Sequence, residues 1–166
     1  TFKFVVPLFV RSQHHRHRTW SYNEISRRYT DVNIQFYSPN RFRIQHNSNR
    51  QASNPDYLID PTIELTNGRY GSTTASSAVL DHADTSLRLY TSLLDAGVCR
   101  EQARGVLPQN MYTEYYGTVN LNNLLKFIDL RTHEGAQWEI QKVAEACLEM
   151  ARELWPTAIN AWKSND

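Results

Sequence analysis

The order in which strand-type and helix-type apolar spacing follow one another most constrains the fold of this chain. Apolar and polar residues alternate around Phe2, Val32 and Met111, which predicts three half-buried strands. Between and after these segments, apolar residues recur at every third or fourth position, which predicts four or five helices. Because strands and helices do not alternate regularly, we expect an α+β fold, with a mixed or antiparallel sheet flanked by helices, and not a regular βαβ arrangement.

Three helices have clear start or stop signals. Residues 79–94 carry an apolar stripe and Gly97 supplies a stop, which predicts a helix of about twenty residues. A second long helix is predicted over residues 136–154, closed by Pro156. Asn120 is a good N-cap for a third helix.

The remaining segments are shorter. Spacing predicts short helices over residues 7–14 and 100–106. Residues 21–24 have the S-x-x-E spacing of a capping box, which predicts a further short helical turn. Residues 40–74 are rich in Asn, Ser, Arg, Gly and Pro and lack apolar periodicity, so we expect a long, partly irregular excursion, of a length typical of functional or mobile loops.

Length and composition limit the class of protein. With 166 residues, 40% of them hydrophobic, we expect a single globular domain over residues 1–166. Its first residue is Thr1 and strand spacing begins at once, so we expect the N-terminal segment of that domain to be missing. No apolar run approaches the ~18–20 residues of a membrane span. Cys99 and Cys147 lack disulfide-scaffold or zinc-site spacing, and we expect both to be buried thiols in the reducing cytoplasm.

Positive charge is concentrated near the start of the chain. The net charge is only +1, but the first fifty residues carry +7, and arginine outnumbers lysine fourteen to four. Arginine favours bidentate recognition of phosphate or carboxylate, so phosphate-bearing ligands are the leading candidates. Residues 13–29 hold four arginines, three histidines and one carboxylate. Composition alone leaves two interpretations open: the side chains point into water, or they surround a polyanionic ligand.

Within this basic stretch, the exact order of residues resembles the signature of the flavin-dependent thymidylate synthases, the ThyX family. Arg16, His17 and Arg18 are followed after seven residues by Ser26, with Glu24 in register. The other segments that resemble the family in order and spacing are residues 28–29, 42–45, 49–51, 100–104, 106–108, 118–120, 130–131 and 136–140. The resemblance therefore covers nearly the whole chain, from residue 1 to about residue 162.

The resemblance implies a methyltransferase that converts dUMP to dTMP. Methylenetetrahydrofolate would be the carbon donor, and FAD reduced by NADPH would carry the hydride. It also implies a homotetramer with active sites shared between subunits, and it implies dUMP and folate as ligands, with no nucleic acid or membrane partner. The sequence agrees with this chemistry, because it has neither a G-x-G-x-x-G fingerprint nor a P-loop, and neither cysteine lies in the motif.

The family's functional residues can be carried over one by one. The residues that the resemblance assigns to FAD are Arg16, His17, Arg18, Glu24, Asn120, Asn122 and Lys126. Those assigned to the nucleotide are Gln13, Arg16, Glu24, Ser26, Arg27, Arg28, Arg104 and Arg131, several of them acting across a subunit boundary. Arg131 is the implied catalytic residue, since C5 of uracil is a poor carbon nucleophile and a guanidinium at the N3/O4 edge would stabilise the negative charge that develops there. Lys126 stands where some members have asparagine, so it either pairs with a phosphate or removes a hydrogen bond.

Other interpretations remain open at this point. Ser21 and Glu24 could simply cap a turn. His14, His15 and His17 lack a carboxylate or cysteine partner at useful spacing, so we predict no metal site. The alternative functions are a catalytically impaired family member that still binds nucleotide, and a basic nucleic-acid-binding module. The scarcity of lysine and the acidic remainder of the chain argue against the second.

Overall fold

The computed structural model describes residues 1–26, 33–49, 52–65 and 71–164. The strands of these segments are β1 (Phe2–Pro7), β2 (Ser21–Glu24), β3 (Phe42–Gln45), β4 (Ser53–Ile59), β5 (Thr62–Glu64), β6 (Ser72–Thr74) and β7 (Tyr112–Thr118). The helices are α1 (Leu8–His14), α2 (Ala75–Asp95), α3 (Arg100–Ala103), α4 (Leu121–Thr132), α5 (Trp138–Leu154) and α6 (Pro156–Lys163), with a 3-10 turn at Arg104–Val106. This mixture of antiparallel strands and separate helices confirms the predicted α+β fold. None of the described helices has the length and apolar character needed to cross a membrane.

A three-stranded antiparallel sheet holds the chain around the basic motif. β7 is the middle strand, with β1 on one side and β2 on the other. β2 is therefore an edge strand, in which Ser21 lies opposite Thr118, and the helical turn predicted from the S-x-x-E spacing is wrong. The physical reason is non-local: pairing with β7 satisfies the backbone of β2, and the Glu24 side chain bonds to α1 and β7 instead of capping a helix.

The main core connects this sheet to the C-terminal helices. Its buried members are Phe4, Val6, Val10, Trp20, Tyr115, Leu124, Phe127, Ile128, Ile140, Ala144, Cys147, Ala151 and Ile159. Burial of each large apolar side chain in such a cluster stabilises the fold by about 1.5–3 kcal/mol. Because the cluster includes residues of α1 and α4, it fixes the end of α1 against α4, and these two helices carry much of the candidate site.

Two long helices, α2 and α5, end at the predicted signals, and α4 begins at one. α2 starts after Thr74, whose hydroxyl accepts a hydrogen bond from the Ser77 amide at 3.3 Å, and it ends before Gly97, which has a φ of 86°. The Asn120 side chain accepts from the Asn123 amide at 2.9 Å and so caps α4 as predicted. α5 ends at Leu154, and a further short helix, α6, follows that the sequence analysis does not predict.

Residues 40–74 contain more regular structure than predicted. β3 pairs with β4 and β5 pairs with β6, each as an antiparallel two-stranded ribbon. The register of the first ribbon shifts between Arg43 and Ile44, which breaks the two-residue alternation that would have revealed the strand. The strand predicted around Val32 is only partly described, because Val32 itself lies outside the described residues. In the described part of that segment, Phe36 forms a single antiparallel bridge with Met111.

The two cysteines differ in environment. Cys147 is buried as predicted, and burial raises the pKa of its thiol to about 12. Cys99 is exposed, so the prediction of a buried thiol is wrong there. Cys99 directly precedes α3 and belongs to neither hydrophobic cluster.

Candidate functional site

The end of α1 places three neighbouring histidines in three different environments. His14 is fully buried, and its Nδ1 lies 2.8 Å from the hydroxyl oxygen of Tyr115. His15 stacks on Tyr22 with ring centroids 3.9 Å apart. His17 turns toward α4 and packs against Phe127 at 4.9 Å. Among the described residues, no three potential metal ligands come together.

Arg131 is held beside the motif by two acceptors. Its Nε donates to Nε2 of His17 at 2.9 Å, and one terminal nitrogen, Nη2, donates to the backbone oxygen of Gln13 at 3.4 Å. Burial and the nearby guanidinium lower the pKa of His17 to about 4, so the imidazole is neutral at pH 7 and Nε2 can accept the hydrogen bond. The pair therefore fixes a guanidinium without adding a second cation, and Nη1 of Arg131 makes no hydrogen bond to the part of the chain that the structure describes.

The Gln13 side chain is held by the residue that precedes α5. Its Nε2 donates to Oε1 of Gln137, whose own Nε2 donates to Oε2 of Glu139 at 2.9 Å. Glu139 also forms an ion pair with Arg43 of β3. Neither Gln137 nor Glu139 is among the residues assigned to the site from the sequence, although both lie in a segment that resembles the family.

A second group of candidate residues gathers around a different cavity. Glu24, Ser26 and Arg104 line a cavity of about 400 Å³. Both oxygens of Glu24 accept from Arg11, and Oε1 also accepts from the hydroxyl of Thr113 at 2.7 Å. Arg11 and Thr113 are not identified by the sequence analysis. The signal that would have found Thr113 is the strand register, because Glu24 lies opposite Tyr115, and Thr113 is the next residue on the same face of β7.

The candidate flavin residues on α4 lie apart from both groups. Asn120 caps this helix, Asn122 and Lys126 belong to its first half, and all three residues are exposed. With a rise of 1.5 Å per residue, Asn120 lies about 16 Å along the helix axis from Arg131. The Asn120 side chain already caps the helix. One chain therefore does not bring Asn120 into contact with Arg131.

The candidate nucleotide residues thus face two sides of one chain. Arg11 and Gln13 are two positions apart on α1, so their side chains point in nearly opposite directions, toward Glu24 and toward Gln137 respectively. Arg16 and Arg18 are exposed in the segment between α1 and β2. Arg27 and Arg28 lie outside the described residues.

A larger cavity than the one around Glu24 lies elsewhere in the described part of the chain. It has a volume of about 570 Å³ and is lined mainly by apolar side chains of β3 and α2 and of the segments near them. None of the candidate residues lines it. Size alone therefore does not identify the site, and the 400 Å³ cavity is the one that agrees with the sequence motif.

Comparison with known proteins identifies relatives over nearly the full length of the chain. The sequence profile of a family described as thymidylate synthase complementing protein matches residues 1–157. A flavin-dependent thymidylate synthase of Thermus thermophilus is 42% identical over 166 residues, which covers 99% of this chain and 57% of the relative. One of Aquifex aeolicus is 40% identical over 151 residues, covering 90% of this chain and 44% of the relative. The chain therefore spans about half the length of these relatives.

A solved structure shows the same fold. The crystal structure of a UMP/dUMP methylase, PolB, from Streptomyces cacaoi bound with 5-Br dUMP is 30% identical, with a TM-score of 0.77. The match covers 98% of this chain and 69% of that one. The expected fold is confirmed by this likeness.

Proposed function

The chain belongs to the family of flavin-dependent thymidylate synthases, and from this premise we propose that it converts dUMP to dTMP. Methylenetetrahydrofolate is the proposed carbon donor, and NADPH is the proposed reductant of a bound FAD. The names of the relatives and of PolB support the flavin and the nucleotide, and the geometry around Arg131 supports the chemistry. The two unbonded cysteines, Cys99 and Cys147, fit a location in the reducing cytoplasm.

The fixed guanidinium of Arg131 is the observation that carries this proposal. C5 of uracil is a weak carbon nucleophile, and it becomes a stronger one as negative charge develops at the N3/O4 edge of the ring. A preorganised cation at that edge stabilises the developing charge without reorganising during the reaction. His17 is neutral and accepts from Nε of Arg131, so it orients the guanidinium without adding repulsion. The remaining donors of Arg131 can then face the substrate.

The residues assigned to FAD fit the chemistry of that cofactor. Arg16 and Arg18 are exposed, and neither shows an acidic partner among the described residues, so both can meet the diphosphate. Lys126 is exposed on α4 and can pair with a phosphate, which supports the first of its two interpretations. Asn122 lies four residues earlier on the same face of the helix. When bound, FAD supplies the redox chemistry, and the chain binds and orients it.

The division of the nucleotide residues supports a site shared between subunits. Gln13 and Arg131 lie on one side of α1, whereas Glu24, Ser26 and Arg104 line a cavity on the other. Because the two groups lie on opposite sides of α1, they fit two different nucleotide sites of one chain. We therefore propose a homotetramer in which one protomer supplies Arg131 and its partner supplies Arg104 to each dUMP and folate site.

Two variants and their mixture test this proposal. We expect Arg131→Ala to lower kcat about 10²–10³-fold and to change dUMP affinity much less, because the charge that it stabilises develops mainly in the transition state. We expect Arg104→Ala chiefly to weaken dUMP binding. Tritium release from C5-labelled dUMP measures turnover, and calorimetry measures affinity. Arg88→Ala, which removes an exposed arginine of α2, is the matched control.

Mixing the two impaired variants, at a dUMP concentration low enough that each alone turns over slowly, tests the shared site. If subunits are exchanged, some sites receive both wild-type arginines and activity returns. Proteins that stay inactive after exchange, while mass measurement shows mixed tetramers, contradict sharing. Bound dUMP without tritium release indicates the impaired family member, whereas salt-dependent nucleic-acid binding by a colourless protein indicates the basic module.

A further inference from the structure

A row of hydrogen bonds runs from the candidate site to β3 and points to a role for Glu139. Oε1 of Glu139 accepts from Arg43 and from the hydroxyl of Tyr37, the latter at 3.2 Å. Oε2 accepts from Gln137, which in turn accepts from Gln13. The Glu139 side chain is only 11% exposed, so these partners replace most of its hydration.

The Glu139 carboxylate determines which group donates and which accepts in each hydrogen bond of the row. Burial alone would raise the pKa of Glu139, but hydrogen bonds from Arg43 and Gln137 hold it below its ordinary value, so the group is ionised at neutral pH. An ionised carboxylate can only accept hydrogen bonds. Gln137 must therefore donate from its NH2 group to Glu139 and turn its amide oxygen toward Gln13. Gln13 then donates to that oxygen from its own NH2 group.

The consequence appears at the other end of the row. An amide has its nitrogen and oxygen on different sides, so the Gln13 oxygen is turned away from Gln137. No described residue donates to this oxygen. The backbone oxygen of the same residue accepts from Arg131 at 3.4 Å, which places Gln13 next to the proposed catalytic guanidinium.

We infer that Glu139, acting through Gln137, is a positioning residue that presents the amide oxygen of Gln13 to the nucleotide. This inference rests on the proposed function, in which Gln13 contacts dUMP. The nucleotide group facing this oxygen must be a hydrogen-bond donor, either the imide N–H of the base or the hydroxyl of the sugar. An ionised phosphate oxygen has no proton to donate and does not fit.

A double-mutant cycle tests the inference, with dUMP affinity measured by calorimetry on the FAD-loaded protein. Glu139→Gln removes the charge that fixes the row, because an amide at position 139 can either donate or accept. We expect dUMP binding to weaken about fivefold in the wild-type background, the effect of one lost neutral hydrogen bond. In a Gln13→Ala background we expect less than a twofold further effect, since the group being positioned is absent.

Thermal unfolding distinguishes a role of Glu139 in positioning Gln13 from a role in stabilising the fold. Glu139→Gln also weakens the ion pair with Arg43, so Tm should fall equally in both backgrounds, whereas the loss of dUMP affinity should appear only when Gln13 is present. Gln137→Met cuts the row but leaves that ion pair, so it should reproduce the affinity loss even if Glu139→Gln does not fold. Glu145→Gln, on the exposed side of α5, is the matched control.

Two analogues test the predicted donor: N3-methyl-dUMP and 3′-deoxy-dUMP. At least one of their affinity penalties should shrink in Gln13→Ala. If neither shrinks, or if Glu139→Gln weakens dUMP binding by the same factor in both backgrounds, the inference is overturned and the proposed function stands. If the wild-type protein binds no dUMP, the proposed function and the inference fail together.

Discussion

Replacing the buried His14 should change how the stability of the protein depends on pH. The ring is fully buried among aromatic side chains, with centroids 4.5 Å from Trp20 and 4.7 Å from Phe127. Nδ1 bonds to Tyr115, and Nε2 has no partner among the described residues. Burial, aided by the nearby positive charges of the site, lowers the pKa of His14 to about 3, against about 6.5 in an unfolded chain.

The sign and size of the effect follow from these two pKa values. Below about pH 6.5 the unfolded chain binds a proton at His14 that the folded protein excludes, so acid favours unfolding. The stability contributed by the neutral ring is complete above pH 6.5 and is lost as the pH falls toward 3. The slope is about 1.4 kcal/mol per pH unit, so the free energy of unfolding should drop by about 2 kcal/mol between pH 8 and pH 5 from this residue alone.

Urea unfolding of the wild-type protein and of His14→Gln, at one protein concentration and several pH values, measures this slope. Glutamine keeps a polar group near Tyr115 but does not titrate. We expect the variant to be less stable at pH 8, because aromatic packing is lost. Between pH 6 and pH 4, its free energy of unfolding should depend on pH less steeply than that of the wild-type protein, by about 1.4 kcal/mol per pH unit, the effect of one proton. His82→Gln, which removes an exposed histidine of α2, is the matched control. Equal slopes for the wild-type protein and His14→Gln would refute the reasoning.

Two further substitutions test the packing and the capping of the fold. A Cβ at Gly117 would lie 2.9 Å from Phe4 and 3.0 Å from Trp20, so we expect Gly117→Ala to lower the free energy of unfolding by about 1–3 kcal/mol, measured by thermal unfolding. The control is Gly105→Ala, whose Cβ would meet nothing within 4 Å. Equal Tm values for the two variants would contradict the overpacking. Asn120→Ala should cost about 1 kcal/mol by removing the cap of α4, while Asn120→Asp should retain most of the stability; similar losses for both would show that the cap does not stabilise the helix.

Much of the fold could be predicted because its signals are local. The end of α2 depends on Gly97, which lies within one turn of it. Asn120 caps α4 through an amide three residues away. Signals of this kind are complete within a few positions, so reading along the chain is enough to find them. The family motif is also a short stretch of sequence, and it identified residues 16–18 as candidate site residues without any knowledge of the packing.

The local signal was wrong where a distant strand competed with it. Residues 21–24 have the spacing of a capping box, yet they pair with β7, which lies about ninety residues later in the chain. Backbone pairing satisfies more polar groups than one capped turn, and the same pairing brings Glu24 to Thr113. The partner of Glu24 on α1 was missed for a related reason, since nothing in the sequence indicates that Arg11 turns toward β2.

By itself, the sequence determined the family, the long helices and the concentration of arginine that suits a phosphate-bearing ligand. Only the tertiary structure decided that Gln13 and Glu24 face opposite sides of the chain, and that Arg43 meets Glu139 across 96 positions. The physical reason is that helix and cap signals act over a few residues, whereas contacts between distant side chains exist only after the core has packed the elements that carry them.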